Sequence, residues 1–370
     1  QRQMCIRDRG HAMRGIALAG NLVVAAGFLL CGYSSYIQPV THPIWACVGL
    51  GFPVFLLLNL FFLFFWLVFR RKFACFPLLI FIAGWGPVRT YMPFNRSQDP
   101  QGGTLVKLLT YNIMNANLVR PDNGAEEGNI VTYLEQSEAD IICLQEITCS
   151  EKQIRKAFPM YPYVKRVGFA TANGVACLSK YPILSGKRIE YASAFNGSAL
   201  FRLKIGNDTV ALINNHLESN KLDSGDKALY KELLQSPDEE KVKTSGKYLW
   251  RKLAEAVAIR AVQADSVAKV IAGCGYDRML VCGDFNDSPL SYARRVIAKG
   301  LKDAYVEGGN GPGFSYNQNL LYFRIDHILA GTDFRVLHCE VDRSIRTSDH
   351  YPVSVSYTHL RAHETVLDLV

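Results

Sequence analysis

The chain has 370 residues, of which 49% are apolar and 20% are charged, and its formal net charge is +8. This length accommodates one large domain together with an additional module. The positive charge is concentrated near the N-terminus: residues 1–91 hold eight Lys or Arg against one acid, whereas residues 92–355 hold 32 against 30. A protein that binds nucleic acid mainly through backbone phosphates needs a basic surface, so the near-neutral second part argues against that class.

Three apolar stretches lie in the N-terminal part of the chain. Residues 15–37 and 44–69 are both longer than the roughly 20 residues that cross a bilayer as a helix, and both are nearly free of charge. Residues 73–88 form a shorter stretch, which reaches spanning length only when it is extended to Phe94. The sequence therefore predicts two to three transmembrane helices within residues 10–94, in preference to a cleaved signal peptide followed by buried helices.

Basic residues beside these stretches predict their orientation. Arg9 and Arg14 precede the first stretch, Arg70–Lys72 follow the second, and the intervening loop Ser34–His42 carries no basic residue. By the positive-inside rule, both basic segments are cytoplasmic. A third crossing then places residues 95–355 outside the cytoplasm, whereas without it they stay inside. We expect a multi-pass protein of the bacterial inner membrane with a periplasmic domain.

A polar linker over residues 95–103 separates the apolar region from a domain that we place at residues 104–355. Short apolar runs alternate with helical patterns in this domain. Helices are predicted at residues 128–138, 151–157 and 246–272, a strand pair at residues 173–182, and a charge-rich insertion at residues 220–243. Residues 1–9 and 356–370 resemble translated sequencing-adapter read-through, so we predict that they are foreign to the natural protein.

Polar side chains follow several of the apolar runs. The run Met279–Cys282 stops at Gly283, so Asp284 and Asn286 are predicted to project from a strand end into a loop. In a layered α/β domain such strand ends meet at one rim. The residues that this pattern brings to one crevice are Asn112, Glu146, His216, Asp284, Asn286, Asp326, Asp349 and His350.

Taken in order, these motifs resemble those of the endonuclease/exonuclease/phosphatase superfamily over about residues 104–355. They are Tyr111-Asn112, Leu144-Gln-Glu146, Asn214-x-His-Leu217, Gly283-Asp-Phe-Asn286, Ile325-Asp-His327 and Ser348-Asp-His-Tyr-Pro-Val353. The resemblance implies a deoxyribonuclease-I-like fold: a four-layer α/β sandwich of two mixed β-sheets flanked by helices. In this chain the sandwich is preceded by the predicted transmembrane helices.

The resemblance also implies a metal-dependent hydrolase of phosphate esters. Hard carboxylate oxygens are the ligands that Mg²⁺ prefers, so Mg²⁺ is the expected cofactor, with Mn²⁺ as the alternative. Glu146 is the first candidate ligand. Asn112 would complete the site through its amide oxygen, and Asp349 would bind the same ion or a second one.

The catalytic roles come from the same resemblance. His350 and Asp326 are expected to form a hydrogen-bonded pair in which the carboxylate favours the protonated imidazole. Asp284 would orient or deprotonate the attacking water, and Asn286 would donate to a phosphoryl oxygen. His216 would lie on the phosphate or leaving-group side.

Three neighbouring motif residues receive no catalytic role. Asp287 is expected to form a turn, Asn214 to support the loop of His216, and His327 to replace the aromatic residue that is common at its position in the family. Ten cysteines are dispersed along the chain with no Cys-x-x-Cys pair, so no zinc site is predicted.

The predicted function is that of a membrane-anchored, Mg²⁺-dependent phosphoesterase that hydrolyses phosphodiester or phosphomonoester bonds by metal-assisted attack of water. The bilayer is an expected partner, and the membrane tether favours a phospholipid-directed diesterase. One alternative is a nuclease acting on DNA or RNA, which the charge distribution does not favour. Another is a non-catalytic membrane protein that binds a phosphorylated ligand. Diester or monoester preference, the number of metal ions and the oligomeric state stay open.

Overall fold

The computed structural model describes residues 2–96, 98–100, 102–116, 118, 129–193, 195–235, 239–318 and 321–359, with backbone only for residues 2–10, 224, 234, 239, 241, 242 and 321. Residue 1 and residues 360–370 of the two ends predicted to be foreign lie outside this description. Within it, a group of apolar helices precedes a domain that contains two large β-sheets.

The apolar region contains helices α1 (Arg2–Gly32), α2 (Pro43–Ala46), α3 (Phe52–Phe69), α4 (Cys75–Ala83) and α5 (Trp85–Tyr91). Two segments, His11–Gly32 and Pro43–Phe69, are long and apolar enough to cross a membrane, with mean hydropathies of 2.0 and 2.5. The segment before Gly84, which contains α4, meets α5 at a bend of 65°, and the two together are a candidate third span.

Buried hydrogen bonds join the apolar helices to one another. The indole nitrogen of Trp66 donates to Asn21 Oδ1 at 2.8 Å, which links α3 to α1. Asn59 Nδ2 donates to the carbonyl oxygen of Pro77 at 3.3 Å, which links α3 to α4. Because neither asparagine is exposed to solvent, both are used for helix packing.

The second domain contains helices α6 (Ile130–Gln136), α7 (Glu151–Ala157), α8 (Ser224–Gln235), α9 (Glu239–Cys274), α10 (Tyr292–Ile297) and α11 (Ala304–Gly308). Its strands are β1 (Thr104–Asn112), β2 (Ile141–Gln145), β3 (Tyr163–Gly168), β4 (Gly174–Ser179), β5 (Ile183–Ile189), β6 (Gly197–Ile205), β7 (Asp208–His216), β8 (Met279–Asp284), β9 (Lys302–Asp303), β10 (Tyr316–Gln318), β11 (Leu321–Phe323), β12 (Asp326–Ala330), β13 (Phe334–Val341) and β14 (Val353–His359).

The first sheet has the order β13-β14-β1-β2-β4-β3, and the second has the order β5-β6-β7-β8-β12-β9. Strands β1 and β2 are parallel in the first sheet, as are β7 and β8 in the second. Their other neighbours are antiparallel, so both sheets are mixed. The hairpin β10-β11 stands apart from both sheets.

Alternating strand positions explain the layers, because successive side chains of a strand point to opposite faces. Leu108 of β1 packs between the two sheets with Phe201 of β6, whereas the next residue, Leu109, packs against helices α6 and α7. On the second sheet, Ile213 of β7 packs against Val267 and other residues of α9 and α10. The predicted four-layer sandwich is confirmed.

Several predicted boundaries differ from the structure. Helix α7 has the predicted bounds, but α9 begins at Glu239, before the predicted residue 246. Its first turns are charged, so the apolar pattern starts only later, near Leu249. The predicted insertion at residues 220–243 contains helix α8. In place of the predicted strand pair, residues 173–182 contain the single strand β4 (Gly174–Ser179), whose hairpin partner is the preceding β3.

The last strand continues past the predicted boundary at Val355. His359 at its end pairs with Thr104 of β1 and Phe334 of β13. Tyr357 is fully buried between the sheets, and the His359 ring stacks on Phe334 with centroids 5.0 Å apart. These contacts extend the folded domain to His359 and place that histidine at the opposite end of β1 from Asn112.

The second domain rests on one end of the apolar helices. The joining hydrogen bonds are Arg295 Nε to Ser35 O (2.8 Å), Ser34 Oγ to Leu290 O (3.3 Å) and Gln38 Nε2 to the Tyr292 hydroxyl (3.2 Å). Arg324 also donates to the carbonyl oxygen of Thr90, at the end of α5. The domain therefore contacts both the connection between α1 and α2 and the last turn before the linker.

Candidate active site

Four strands end at one rim of the sandwich: β1 at Asn112, β2 just before Glu146, β7 at His216 and β8 at Asp284. The parallel pairs β1-β2 and β7-β8 bring their carboxyl ends together. Asp326 reaches the same rim differently from the prediction, because it begins β12 and does not follow an apolar strand. Since β12 is antiparallel to β8, its first residue pairs with Asp284.

Unusual backbone conformations shape this rim. Gly283 has φ +120°, and a Cβ atom there would lie 2.1 Å from the carbonyl oxygen of Asn215 on β7. Glu146 and Asn286 have φ values of 53° and 52°, a region that residues with side chains rarely adopt. Such conformations persist where the surrounding structure enforces them, often at functional sites.

A buried histidine lies between two acids at the centre of the crevice. His350 Nδ1 is 2.8 Å from Asp326 Oδ2, and its Nε2 is 3.6 Å from Asp284 Oδ2. Burial acts to lower the pKa of His350, but the Asp326 and Asp284 carboxylates outweigh it and raise the pKa to about 10. The imidazole is therefore protonated at neutral pH, in the predicted pairing with Asp326.

Burial also changes the ionisation of the other two central groups. It raises the pKa of Asp284 to about 6, although the positive charge of His350 opposes the shift. It lowers the pKa of His216, whose Nε2 lies 3.5 Å from Glu146 Oε1 and 3.8 Å from Asp284 Oδ2. Asn196 Nδ2 donates to His216 Nε2 at 3.0 Å, which puts the proton of the neutral ring on Nδ1.

Asn112 and Glu146 lie together, as predicted for two ligands of one metal ion. Asn112 Nδ2 donates to Glu146 Oε1 and to Asp284 Oδ2, both at 3.1 Å. Its amide oxygen accepts one hydrogen bond, from the Met114 backbone N–H at 3.0 Å. Burial raises the pKa of Glu146.

Asn286 holds Asp284 in place. Its backbone N–H donates to Asp284 Oδ1 at 2.7 Å, and its Nδ2 donates to Asp284 Oδ2 at 3.1 Å and to Leu217 O at 2.9 Å. The side-chain amide is thus already engaged by protein oxygens. The geometry favours a positioning role over the predicted direct donation to a phosphoryl oxygen.

One group of side chains in the crevice has the spacing of a cation site: Asp284, Asp326 and His350 offer ligand atoms within 4.8 Å of one another, and within the described residues they are the group that meets this spacing. While His350 is protonated its imidazole has no free lone pair, so the two carboxylates are the donors in this group that fit a divalent cation. Asp326 Oδ1 is buried without a hydrogen-bond partner, as expected of an oxygen that faces a ligand. The set of Asn112, Glu146 and Asp349 stays a prediction, and hard oxygen donors of this kind suit Mg²⁺.

Arg260 is a site residue that the sequence interpretation missed. It is only 2% exposed, and its Nη1 donates to Glu218 O and to Asn220 Oδ1, both at 3.0 Å. Its Nε donates to Asp287 Oδ2 at 3.1 Å. Arg260 therefore joins the loop after His216 to the loop after Asp284. The sequence did contain a signal for Arg260, because an arginine on the apolar face of the helix predicted at residues 246–272 is unusual.

Asn214 and Gln145 connect the two sheets below the crevice. Asn214 Nδ2 donates to Leu144 O at 3.0 Å and to Ala176 O at 3.1 Å, in the first sheet, although Asn214 belongs to the second. Gln145 Nε2 donates to Asn214 Oδ1 at 2.7 Å. The supporting role predicted for Asn214 takes the form of this bridge.

Asp287 and His327 have structural contacts. The Asp287 carboxylate accepts from the Ser288 N–H at 3.0 Å, which is the predicted turn. His327 Nε2 donates to Asp287 O at 3.0 Å, and its ring lies 5.0 Å from that of Phe285. Burial lowers the pKa of His327 to about 4, so the ring is neutral and packs as an aromatic group.

Several solved structures are similar to the chain at low identity. One is an endonuclease/exonuclease/phosphatase from Beutenbergia cavernae (15% identity, TM-score 0.49, covering 70% of this chain and 72% of that one). Another is the human Nocturnin catalytic domain with bound sulfate anion (13%, 0.48, 68% and 93%). A third is an endonuclease/exonuclease/phosphatase family protein from Bacteroides thetaiotaomicron (18%, 0.45, 70% and 98%). No curated protein matches the chain.

Two families match the sequence itself. Residues 14–91, which cover the apolar helices, match a domain of unknown function (DUF8431). Residues 109–350, which contain every residue of the crevice, match the Endonuclease/Exonuclease/phosphatase family. This second match covers more than half of the chain and agrees with the two-sheet sandwich and its motifs. The chain belongs to the endonuclease/exonuclease/phosphatase family.

Proposed function

We propose that the chain is a membrane-anchored, Mg²⁺-dependent phosphoesterase that hydrolyses phosphodiester bonds, with phosphomonoesters as the alternative substrate class. The observation that carries the proposal is the buried contact of His350 with Asp326 and Asp284 beside the Asn112–Glu146 pair. A protonated imidazole, an acid with a pKa near neutrality and a group of hard oxygen donors are what phosphate ester hydrolysis needs.

Each of these groups has a task that follows from its ionisation. Asp284, with a pKa of about 6, is ionised at neutral pH and accepts a proton from the attacking water, while Asn286 fixes its orientation. Protonated His350 neutralises charge that builds on the phosphoryl oxygens, and neutral His216 lies beside Glu146 and Asp284. Glu146, Asn112 and Asp349 would hold Mg²⁺, which would supply further positive charge for the phosphate.

The proposed anchoring follows from the contacts between the domain and the apolar helices. The domain touches Ser34, Ser35 and Gln38, at the ends of the spans remote from Arg14 and the basic segment Arg70–Lys72. By the positive-inside rule these ends are extracytoplasmic. The segment that ends in α5 then crosses the membrane as the third span, which supports a periplasmic domain in a bacterial inner membrane.

Substrate choice within this class favours a molecule found at the membrane. Leu290, six residues after Asp284, packs among Phe28, Phe52 and Leu56 of the apolar helices, so the loop after Asp284 touches the membrane-spanning region. A phospholipid-directed diesterase agrees with this arrangement. A nuclease has less support because residues 92–355 are nearly neutral. A protein that only binds a phosphorylated ligand would not need the acid and histidine set.

The direct test is hydrolysis of bis(4-nitrophenyl) phosphate and 4-nitrophenyl phosphate by the detergent-purified full chain, with Mg²⁺ and with chelator. We expect turnover of the diester that chelator abolishes. Glu146→Ala and His350→Ala should each lose at least about 100-fold in kcat. Glu190→Ala and His338→Ala are matched controls, because both residues are exposed and lie outside the crevice.

The outcomes separate the alternatives. Faster turnover of the monoester would assign the phosphatase class. Turnover of single-stranded or duplex DNA above that of both esters would support the nuclease. If the folded protein hydrolysed no ester with Mg²⁺ present but still bound inorganic phosphate, the proposal would be wrong and the binding-only alternative would stand.

A further inference from the structure

Helix α8 carries a lysine toward the crevice from a segment outside the family motifs. The helix is fixed at its start by a reciprocal pair, in which the Asp223 N–H donates to Asp226 Oδ2 at 3.0 Å and the Asp226 N–H donates to Asp223 Oδ1 at 2.9 Å. This arrangement satisfies two backbone donors that a helix start leaves free. It places the next residue, Lys227, in a defined orientation.

A second contact holds the same turn against the domain. Asp226 is 4% exposed, and Lys252 of α9 donates to its carboxylate and lies 3.5 Å from Asp223 Oδ2. Because α9 packs against the second sheet, the first turn of α8 is tied to the scaffold that carries the crevice. Lys227 is therefore not on a freely moving loop.

The Lys227 side chain extends to an aromatic residue that touches the catalytic histidine. Its Nζ lies 5.7 Å from the ring centre of Tyr316, on β10. The Tyr316 ring in turn lies 5.2 Å from the His350 ring at 69°, and the two residues form a β-bridge. The lysine thus reaches the side of the crevice where His350 is found.

The surroundings of Lys227 are negative, yet no carboxylate pairs with it directly. Within the described residues its ammonium has no salt bridge, although the charges of Asp349 and Glu146 act on it. Burial acts to lower the pKa of Lys227, but the Tyr316 hydroxyl and these two acids raise it. A half-buried, charged ammonium with open donors beside a phosphate-hydrolysing centre is suited to an anion.

We propose that Lys227 binds a non-bridging oxygen of the substrate's phosphate group, with Tyr316 holding the ammonium beside His350. The inference rests on the proposed function, since it assigns a substrate contact to the same site. It gives helix α8 a defined role: a segment outside the family motifs supplies a cation that the motifs do not contain. The competing role is a counter-charge for Glu146 and Asp349 that a bound metal ion would replace.

The test compares Lys227→Ala, Lys227→Arg and Lys231→Ala in the detergent-purified full chain. Lys231 lies one turn further along α8 and is exposed, so it controls for the loss of a lysine from the same helix. Two quantities are measured: the KM for bis(4-nitrophenyl) phosphate at saturating Mg²⁺, and the affinity for inorganic phosphate by calorimetry. The Mg²⁺ concentration that gives half-maximal rate is recorded for each variant.

We expect Lys227→Ala to raise KM and weaken phosphate binding by about tenfold or more, the size of a charge-assisted hydrogen bond. Lys227→Arg should recover much of both, while Lys231→Ala and the Mg²⁺ requirement stay unchanged. An unchanged phosphate affinity in Lys227→Ala, or an effect confined to the Mg²⁺ requirement, would overturn the proposal. If the wild-type chain turned over neither ester, the calorimetric comparison would still decide the role of Lys227 separately from the proposed function.

Discussion

At the residue scale, two histidines share one carboxylate but differ in charge. Both His350 and His216 lie within 4.0 Å of Asp284 Oδ2, and both are buried. His350 forms a close hydrogen bond with a second acid, Asp326, at 2.8 Å, whereas His216 Nε2 accepts from the Asn196 amide and has its second acid, Glu146, only at 3.5 Å. The close contact with Asp326 therefore decides which ring is charged, because burial alone lowers the pKa of both.

Asp326→Asn tests this assignment. The substitution keeps the size of the side chain but removes the charge that keeps His350 protonated, so we expect kcat to fall by about 10- to 100-fold with little change in KM. Steady-state kinetics on the diester at neutral pH measure the effect. Asp333→Asn, at a surface ion pair with Arg278, is the matched control. A variant that retained wild-type kcat would show that the Asp326 charge is not needed.

Asp303 gives a prediction for stability that is independent of catalysis. It is 6% exposed, accepts from the Tyr305 and Val306 N–H groups at the start of α11, and pairs with Arg294 at 2.6 Å. Burial acts to raise the pKa of Asp303, but Arg294 outweighs it and lowers the pKa to about 2. The ionised form therefore stabilises the fold.

Because the folded pKa lies below the unfolded value, this stabilisation is present above about pH 4 and is lost as the pH falls toward 2. Asp303→Asn should lower the free energy of unfolding by about 2 kcal/mol near neutrality, because the pKa of Asp303 falls from its ordinary value of 3.8 to about 2 on folding. The thermal midpoint, followed by near-UV circular dichroism between pH 7 and pH 3, measures this penalty. A penalty that stayed constant down to pH 3 would contradict the argument.

At the element scale, the close approach of β8 to β7 makes Gly283 essential. A Cβ atom there would lie 2.1 Å from Asn215 O and 2.7 Å from Asn215 N, and φ is +120°. Both atoms belong to the backbone of a paired strand, so neither can move without breaking the sheet. Strand packing therefore requires a glycine at this position of the Gly283-Asp-Phe-Asn286 motif. The close approach of the two strands also determines the position of Asp284 at the end of β8.

Gly283→Ala should prevent folding or lower the thermal midpoint by more than about 10 °C, since steric overlap adds to backbone strain. Gly273→Ala is the control, because this exposed glycine of α9 has no atom within 4 Å of the added Cβ. That substitution should leave the midpoint unchanged or raise it, because alanine is favoured over glycine in a helix by up to about 1 kcal/mol. Equal thermal midpoints for the two variants would contradict the steric explanation for Gly283.

The elements that the sequence predicted best are those whose pattern is local. Buried strands followed by an acid or amide were found because the apolar run and the polar residue are adjacent, as in β8 and Asp284. Helix α8 was missed because its many charged residues make it polar on average, so its amphipathic pattern was not recognised within the charge-rich segment. Arg260 was missed because its partners lie 27 to 42 residues away, a relation that only the fold creates.

At the scale of the whole molecule, the sequence left the third crossing undecided because residues 73–88 are short and the helix bends at Gly84. The contacts of the domain constrain it. The domain contacts both the connection Ser34–Gln38 and Thr90, so these two points lie at the same end of the apolar helices. The proposed topology follows, in which a chain that leaves the basic segment Arg70–Lys72 at the opposite side crosses the membrane to reach Thr90.

Cysteine labelling in intact cells tests this topology. Single cysteines are placed at Thr41, Lys72 and Lys187, all exposed, after Cys5, Cys75, Cys149 and Cys274 are replaced by serine. A membrane-impermeant maleimide should label Thr41→Cys and Lys187→Cys in spheroplasts, because the proposed topology places the loop and the domain outside the cytoplasm. Lys72→Cys should react only after permeabilisation. If Lys187→Cys reacted in the manner of Lys72→Cys, the domain would be cytoplasmic and the third crossing would be wrong.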